Sequence, residues 1–130
     1  MDFYIPCKPD VLKDAVIRII LFAKENGIHD QEMIQNIKLA THEALVNAML
    51  HGNKCKDGSL IGIKLSFSDD KLTISITDQG CGFDFISKIN CDTEKFSDCG
   101  RGIFLIKHIT DSFEFLDGGK TIVLSFNALQ

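Results

Sequence analysis

Two stretches of alternating apolar and polar residues stand out along the chain. Residues 60–68 (LIGIKLSFS) and 71–77 (KLTISIT) each place apolar side chains at every second position, and Asp69-Asp70 separates them. That period and that break predict a β-hairpin. Residues 112–117 and 120–126 predict a second hairpin around Gly118-Gly119. Elsewhere the apolar residues recur at helical spacing. Asp10 is placed to cap a helix that runs to about Asn26, where Asn26-Gly27 stops it, and Asp30 to cap a second helix reaching about His51, with Gly52 ending it. A third helix is expected to start near Gly100–Gly102 and run to about Thr110. Residues 2–5 form a short edge strand before Pro6 and Pro9, and residues 85–98, without sustained period, read as a loop. Strands thus arrive in antiparallel pairs rather than alternating singly with helices. The expected architecture is α+β, a two-layer α/β sandwich with helices on one face of a mixed, mostly antiparallel sheet, and not a doubly wound fold.

The chain has 130 residues, 45% of them apolar and 25% charged. This is the composition of one ordinary globular domain, here expected to span residues 1–130. Lys and Arg number 14 against 18 Asp and Glu, a formal net charge of -4. Sequence-independent nucleic-acid binding, which draws on Lys and Arg at phosphates, is therefore disfavoured. The longest apolar stretch, residues 15–23 (AVIRIILFA), contains Arg18 and is half the ~20 residues a membrane span needs. The first ten residues do not read as a signal peptide. The five cysteines (Cys7, Cys55, Cys81, Cys91, Cys99) contain no C-x-x-C, which fits reduced thiols in a cytoplasmic protein.

Three short segments carry candidate chemistry. In the second helix, ATHEALVNAMLH places Glu43, Asn47 and His51 four residues apart on one edge of an otherwise apolar segment. A carboxylate and an amide buried there need polar partners, since leaving them without costs several kcal/mol. Those partners are either neighbouring backbone and solvent, or a ligand such as a hydrated Mg²⁺ with phosphates, for which the Asn47 carbonyl is a suitable ligand and Glu43 a suitable proton acceptor. At the end of the strand 71–77, Asp78-Gln79-Gly80-Cys81-Gly82-Phe83-Asp84 joins a carboxylate to two glycines that permit close approach of a ligand. Turns after strands are often rich in Asp and Gly, so this pattern alone is also consistent with a plain turn. Before the third helix, Gly100-Arg101-Gly102 precedes an apolar run, and free amides at a helix start favour anions. It is not a P-loop.

In combination the three resemble the N, G1 and G2 boxes of the GHKL (histidine-kinase-like) ATPases and kinases, over about residues 10–126. HEALVNAMLHGN and GRGIFLIKHITD look most like the bacterial anti-sigma factor serine kinases. The resemblance implies the Bergerat ATP-binding fold, with ATP and Mg²⁺ as cofactors. Under it Glu43 is the general base, Asn47 the magnesium ligand, and His51 a polar neighbour of the phosphates. Asp78 accepts the amino group of adenine. Gly80, Gly82 and Phe83 run beside the nucleotide, and Gly100, Arg101 and Gly102 close over the phosphates. Family members often carry Thr or Ser after the last glycine of the final hairpin, where it helps to bind adenine. Here Lys120 stands there and Thr121 follows, so either the register shifts by one or that contact is absent.

The implied partners are a STAS-domain anti-sigma antagonist as substrate, a sigma factor, and a second copy of the chain in a homodimer, with neither nucleic acid nor membrane. Lys13, Arg18 and Lys24 are candidates for partner contacts, although a solvated helix face explains each of them better. Cys81 and Cys99, in and beside the glycine motifs, raise the question of a redox role. The competing reading is a nucleotide-dependent protein-binding switch of the same fold without significant kinase activity. A third, an interaction domain without nucleotide, makes the motifs coincidental.

Overall fold

The computed structural model describes residues 1–49, 59–78 and 101–128, and of residues 101–103 the backbone alone. The expected loop over 85–98 and the helix end around His51 and Gly52 lie outside the described residues. The elements run β1 (Asp2–Pro6), a 3-10 turn (Pro9–Val11), α1 (Leu12–Glu25), α2 (Gln31–Asn47), β2 (Leu60–Ser68), β3 (Lys71–Thr77), α3 (Arg101–Ile109), β4 (Ser112–Leu116), a 3-10 turn (Asp117–Gly119) and β5 (Thr121–Asn127).

Both hairpins form where alternation places them. Asp69 and Asp70 turn β2 into β3 with φ of 53° and 60°. Positive φ at both central residues is what a type I′ turn requires, and aspartate tolerates it better than most residues. β4 and β5 pair antiparallel with Leu116 opposite Thr121. The five strands form one sheet in the order β1-β2-β3-β5-β4. Each pairing is antiparallel, so the parallel component expected of a mixed sheet is absent among the described strands.

One expected cap fails. Asp10 lies inside the 3-10 turn that Pro9 starts, and α1 begins at Leu12 with Val11 as its N-cap and no side-chain cap bond. Asp30 does cap α2, accepting the Met33 N–H at 2.9 Å. At the other end of α1, Gly27 takes φ of 94° and the Asn26 amide group donates to the Phe22 carbonyl at 2.8 Å.

The helices cover one face of the sheet, with α2 packed against both α1 and α3 and reaching β3 and β5. Ile61, Ile63 and Leu65 of β2, Leu72, Ile74 and Ile76 of β3, and Ile122, Leu124 and Phe126 of β5 are buried. Ala15, Val16, Ile19 and Ala23 of α1, Ile37, Ala40, Ala44 and Leu45 of α2, and Ile106 of α3 are buried with them. Each fully buried Ile or Leu is worth roughly 1.5–3 kcal/mol, so this seam fixes where the strand ends lie. The opposite face of the sheet is polar, with Lys64, Ser66, Thr73, Ser75 and Thr77 among its residues, as a two-layer fold requires. Arg18 of α1 stacks its guanidinium over the Phe3 ring at 3.8 Å, which ties α1 to the edge strand.

Candidate functional site

The site begins where the apolar rows of the sheet run out. On β3 the helix-facing row is Leu72, Ile74 and Ile76, all essentially buried. Side chains of a strand alternate between faces, so the next place on this row belongs to Asp78. Its backbone continues the ladder one step beyond the strand, donating its N–H to the Lys120 carbonyl at 2.9 Å. The Asp78 carboxylate is therefore held at 5% exposure at the end of an apolar row.

The matching row on β5 is Phe126, Leu124 and Ile122, and the strand begins one residue before it, at Thr121. Thr77 pairs with Thr121 and Ile76 with Ile122. This register answers the question left open by the sequence. Thr121 does not face the helices. It lies on the outer face of the sheet, where its hydroxyl meets that of Thr77 at 2.9 Å and donates to the Asp117 carboxylate at 3.3 Å. Thr121, the position the sequence offered for a nucleotide contact, thus has Thr77 and Asp117 as its partners in the sheet. Lys120, exposed, ends the 3-10 turn with αR backbone angles, and its carbonyl accepts the Asp78 N–H.

The third wall is α2. Ala44, Asn47 and Ala48 line a narrow cleft whose other side is Ile76, Asp78, Phe115, Gly119, Lys120 and Ile122. The two alanines, one helical turn apart, leave a slot between helix and sheet that larger side chains would close. Nothing in the sequence singles them out, since alanine in an apolar helix reads as core. Nor does it single out Ile76 and Ile122, the apolar flanks of the slot.

Asn47 gives the clearest chemical signal. Its Nδ2 is buried and has no hydrogen-bond partner. Native proteins pair nearly all such atoms, because an unpaired one costs about 1–3 kcal/mol. A half-turn of the amide exchanges nitrogen for oxygen at the same place, and an oxygen aimed into a cleft is the donor that a hard divalent cation takes. The residues present therefore fit a Mg²⁺ ion. Glu43 lies one turn earlier on α2, its side chain 32% exposed, with His42 Nδ1 at 4.0 Å from one carboxylate oxygen. It is not among the residues that line the cleft and lies on the same helix edge as Asn47.

The structure thus brings Asn47 and Asp78 into one cleft, with Glu43 adjacent. The described part of α3 begins at Arg101. His51, Gly80, Gly82, Phe83 and Gly100, together with Cys81 and Cys99, lie outside the described residues, as does the side chain of Arg101.

A sandwich of helices on one sheet face, with an Asn-bearing helix set against a strand-end aspartate, defines a class of nucleotide-binding domain. The chain belongs to the histidine kinase-like ATPase domain family, whose pattern matches residues 8–126. Its relatives include the serine-protein kinase RsbW of Listeria monocytogenes serotype 4a, 26% identical over 130 residues, with 93% of this chain and 82% of that protein covered. Another is the serine-protein kinase RsbW of Oceanobacillus iheyensis, 29% identical over 120 residues, with 85% and 75% covered. The fold is similar to that of the RsbU and RsbW domains of Rv1364c from Mycobacterium tuberculosis, with a TM-score of 0.61 and 15% identity over 97% of this chain. It is similar as well to the histidine kinase domain of the Erythrobacter litoralis EL346 blue-light activated histidine kinase, with a TM-score of 0.59, 15% identity and 90% of this chain covered. The chain spans 31% of the first of these solved chains and 61% of the second, and at this identity the likeness is one of fold. The resemblance to the anti-sigma factor serine kinases, carried in the sequence by the three motifs, is borne out by these matches.

Proposed function

We propose that the chain is an ATP-dependent protein-serine/threonine kinase acting as an anti-sigma factor. It would bind Mg·ATP in the α2–β3–β5 cleft, phosphorylate a STAS-type anti-sigma antagonist, and hold a sigma factor, working as a homodimer. The single observation that supports this most is the unpaired, buried amide of Asn47 in the cleft that Asp78 closes.

Each residue then has a defined task. Asp78, rigid at the end of the β3 row, accepts a hydrogen bond from the amino group of adenine. Ala44 and Ala48 keep the helix side of the cleft small, and Ile76 and Ile122 give the ring apolar flanks once the cleft widens to admit it. Asn47 supplies an oxygen for Mg²⁺, which when bound neutralises phosphate charge and orients the transferred group. Glu43, open to solvent and to an incoming partner, accepts the proton of the attacking serine or threonine hydroxyl as its oxygen bonds to the γ-phosphorus and ADP departs. Positioning and charge neutralisation supply most of the acceleration in such transfers.

The test incubates the purified chain with labelled Mg·ATP and candidate STAS-domain proteins, beside Glu43→Gln and Asn47→Ala. Label on a serine or threonine of one candidate is expected, and lost in both variants. Glu43→Gln is expected to keep ATP affinity within about twofold while transfer slows by ~10²–10⁴. Unlabelled STAS proteins throughout, with ATP tightly bound, would refute the kinase and leave the nucleotide-dependent binding switch.

A further inference from the structure

We propose that Phe115 is the gate of the cleft: its ring takes up space that the adenine needs, and ATP enters when the ring swings out. The proposal rests on the reading that ATP occupies the α2–β3–β5 cleft, and adds to it the movement that admits the base.

The cleft is closed. Its free volume is about 10 Å³, room for a single water molecule. Pockets that take small ligands hold roughly 300–1,000 Å³. A wall must therefore move, and the fold decides which of the described walls can. Ala44 and Ala48 belong to a helix packed against α1, α3 and the sheet, and are 1% and 6% exposed. Ile76 and Ile122 lie on β3 and β5, strands paired on both sides. Asp78 is tied through its N–H to the Lys120 carbonyl, and Gly119 has no side chain to turn. Moving any of these lifts α2 off the sheet or opens a ladder of backbone hydrogen bonds, whose buried groups would then lack partners.

Phe115 is placed differently. β4 is five residues long and pairs with β5 alone among the described strands, so it forms an edge of the sheet. Phe115 lies opposite Ile122 on that edge, and its side chain is half-buried. It is the largest of the described side chains lining the cleft. Phe113, two residues earlier on the same row, meets its ring edge-on, with centroids 6.1 Å apart and planes at 86°. Rotation about χ1 carries the Phe115 ring from one staggered position to another and breaks no backbone hydrogen bond. Lys120, the other long side chain of the cleft, is exposed already. Swinging the ring out forfeits the apolar contacts of a half-buried side chain, which leaves the open form at roughly one molecule in ten. ATP affinity is lowered by that same fraction.

Titrations with Mg·ATP would compare the unaltered chain with Phe115→Ala and Phe115→Leu. Without the ring, ATP is expected to bind about tenfold more tightly, mainly through faster association, with Phe115→Leu between the two. Adenosine is expected to gain by the same factor, because the gate acts on the base and not on the phosphates. Thermal melting reports whether Phe115→Ala still folds, and the smaller change in Phe115→Leu carries the comparison if it does not. The chain contains no tryptophan, so Phe115→Trp places a single fluorescent reporter at the gate. Its emission is expected to move to longer wavelength on adding Mg·ATP, as the indole turns from a half-buried setting to water.

Three results would overturn the proposal. Equal or weaker binding of ATP by both Phe115→Ala and Phe115→Leu would make the ring a bystander or a contact surface of the base. Emission of Phe115→Trp that moves to shorter wavelength would mean that the ring closes over the nucleotide. A tenfold gain in Lys120→Ala, absent from the Phe115 variants, would assign the gate to the lysine. Failure of the underlying reading looks different: ATP does not bind the unaltered protein, or Asp78→Asn binds it unchanged.

Discussion

Replacing Asn47 by leucine separates what the amide costs the fold from what it does for a ligand. Leucine has nearly the shape of asparagine and no polar atoms. The buried, unpaired Nδ2 of Asn47 costs about 1–3 kcal/mol as it stands. Asn47→Leu removes that cost and adds a packing mismatch of at most about 1.5 kcal/mol. The net expectation is stabilisation of the nucleotide-free protein by ~1 kcal/mol. For a chain of 130 residues this raises Tm by roughly 3–5 °C. The unaltered protein, at Mg·ATP one hundred times its Kd, gains about 2.7 kcal/mol, or ~10 °C. Asn47→Leu loses that gain with the magnesium ligand. Thermal melts with and without Mg·ATP should therefore cross, the variant melting higher without nucleotide and lower with it. A variant that melts below the unaltered protein without nucleotide would show that the amide is satisfied in the native state. A variant that keeps the whole nucleotide-dependent shift would remove Asn47 as the ligand. Either result refutes the site as drawn.

Two further substitutions test the walls of the cleft. Ala48→Leu should fill the slot, lowering stability by ~1–3 kcal/mol through overpacking and abolishing the Mg·ATP-dependent rise in Tm; an unchanged rise would mean that the ligand lies elsewhere. Thr121→Val should lower stability by roughly 1–2 kcal/mol as its bonds to Thr77 and Asp117 vanish, while ATP affinity by titration stays within about twofold. A large loss of affinity there would mean that Thr121 faces the nucleotide after all.

The pairing of β2 with β3 was legible because alternation specifies register wherever one face is buried, and Asp69-Asp70 is a turn that can take positive φ twice. Asn47 and Asp78 were legible for a related reason: each is a polar residue on an apolar row. The β4–β5 hairpin was harder. Its loop contains three consecutive residues at positive φ, Asp117, Gly118 and Gly119, and loop geometry, not composition, decides which face Thr121 takes. In the sequence a threonine beside glycines looks like the better ligand. In the sheet, its pairing with Thr77 sends it outward. Asp10 misled for a local reason, since Pro9 starts a 3-10 turn that carries the aspartate past the cap position. Ala44 and Ala48 gave no signal at all, because a small residue that leaves space for a ligand has the same letter as one that simply packs.

The placement of the polar residues argues for ligand binding over a purely structural role. Two apolar rows end at the same edge of the core: Leu72, Ile74 and Ile76 at Asp78; Ala40 and Ala44 at Asn47. Polar groups at the end of a row cost less than in its middle, yet stability alone would still favour pairing them with one another. Instead the Asn47 Nδ2 has no partner, and Lys120 makes no ion pair among the described residues. The rows behind them are packed to near-zero exposure, so these groups are aimed by the core itself and need little ordering when a ligand arrives. Truncating Ile76, which lies two residues from Asp78 on the same row, would disturb stability and site together. The unpaired amide and the rigidity of its setting are thus two sides of one arrangement, in which the edge of the core gives up some stability to hold polar groups ready for a ligand.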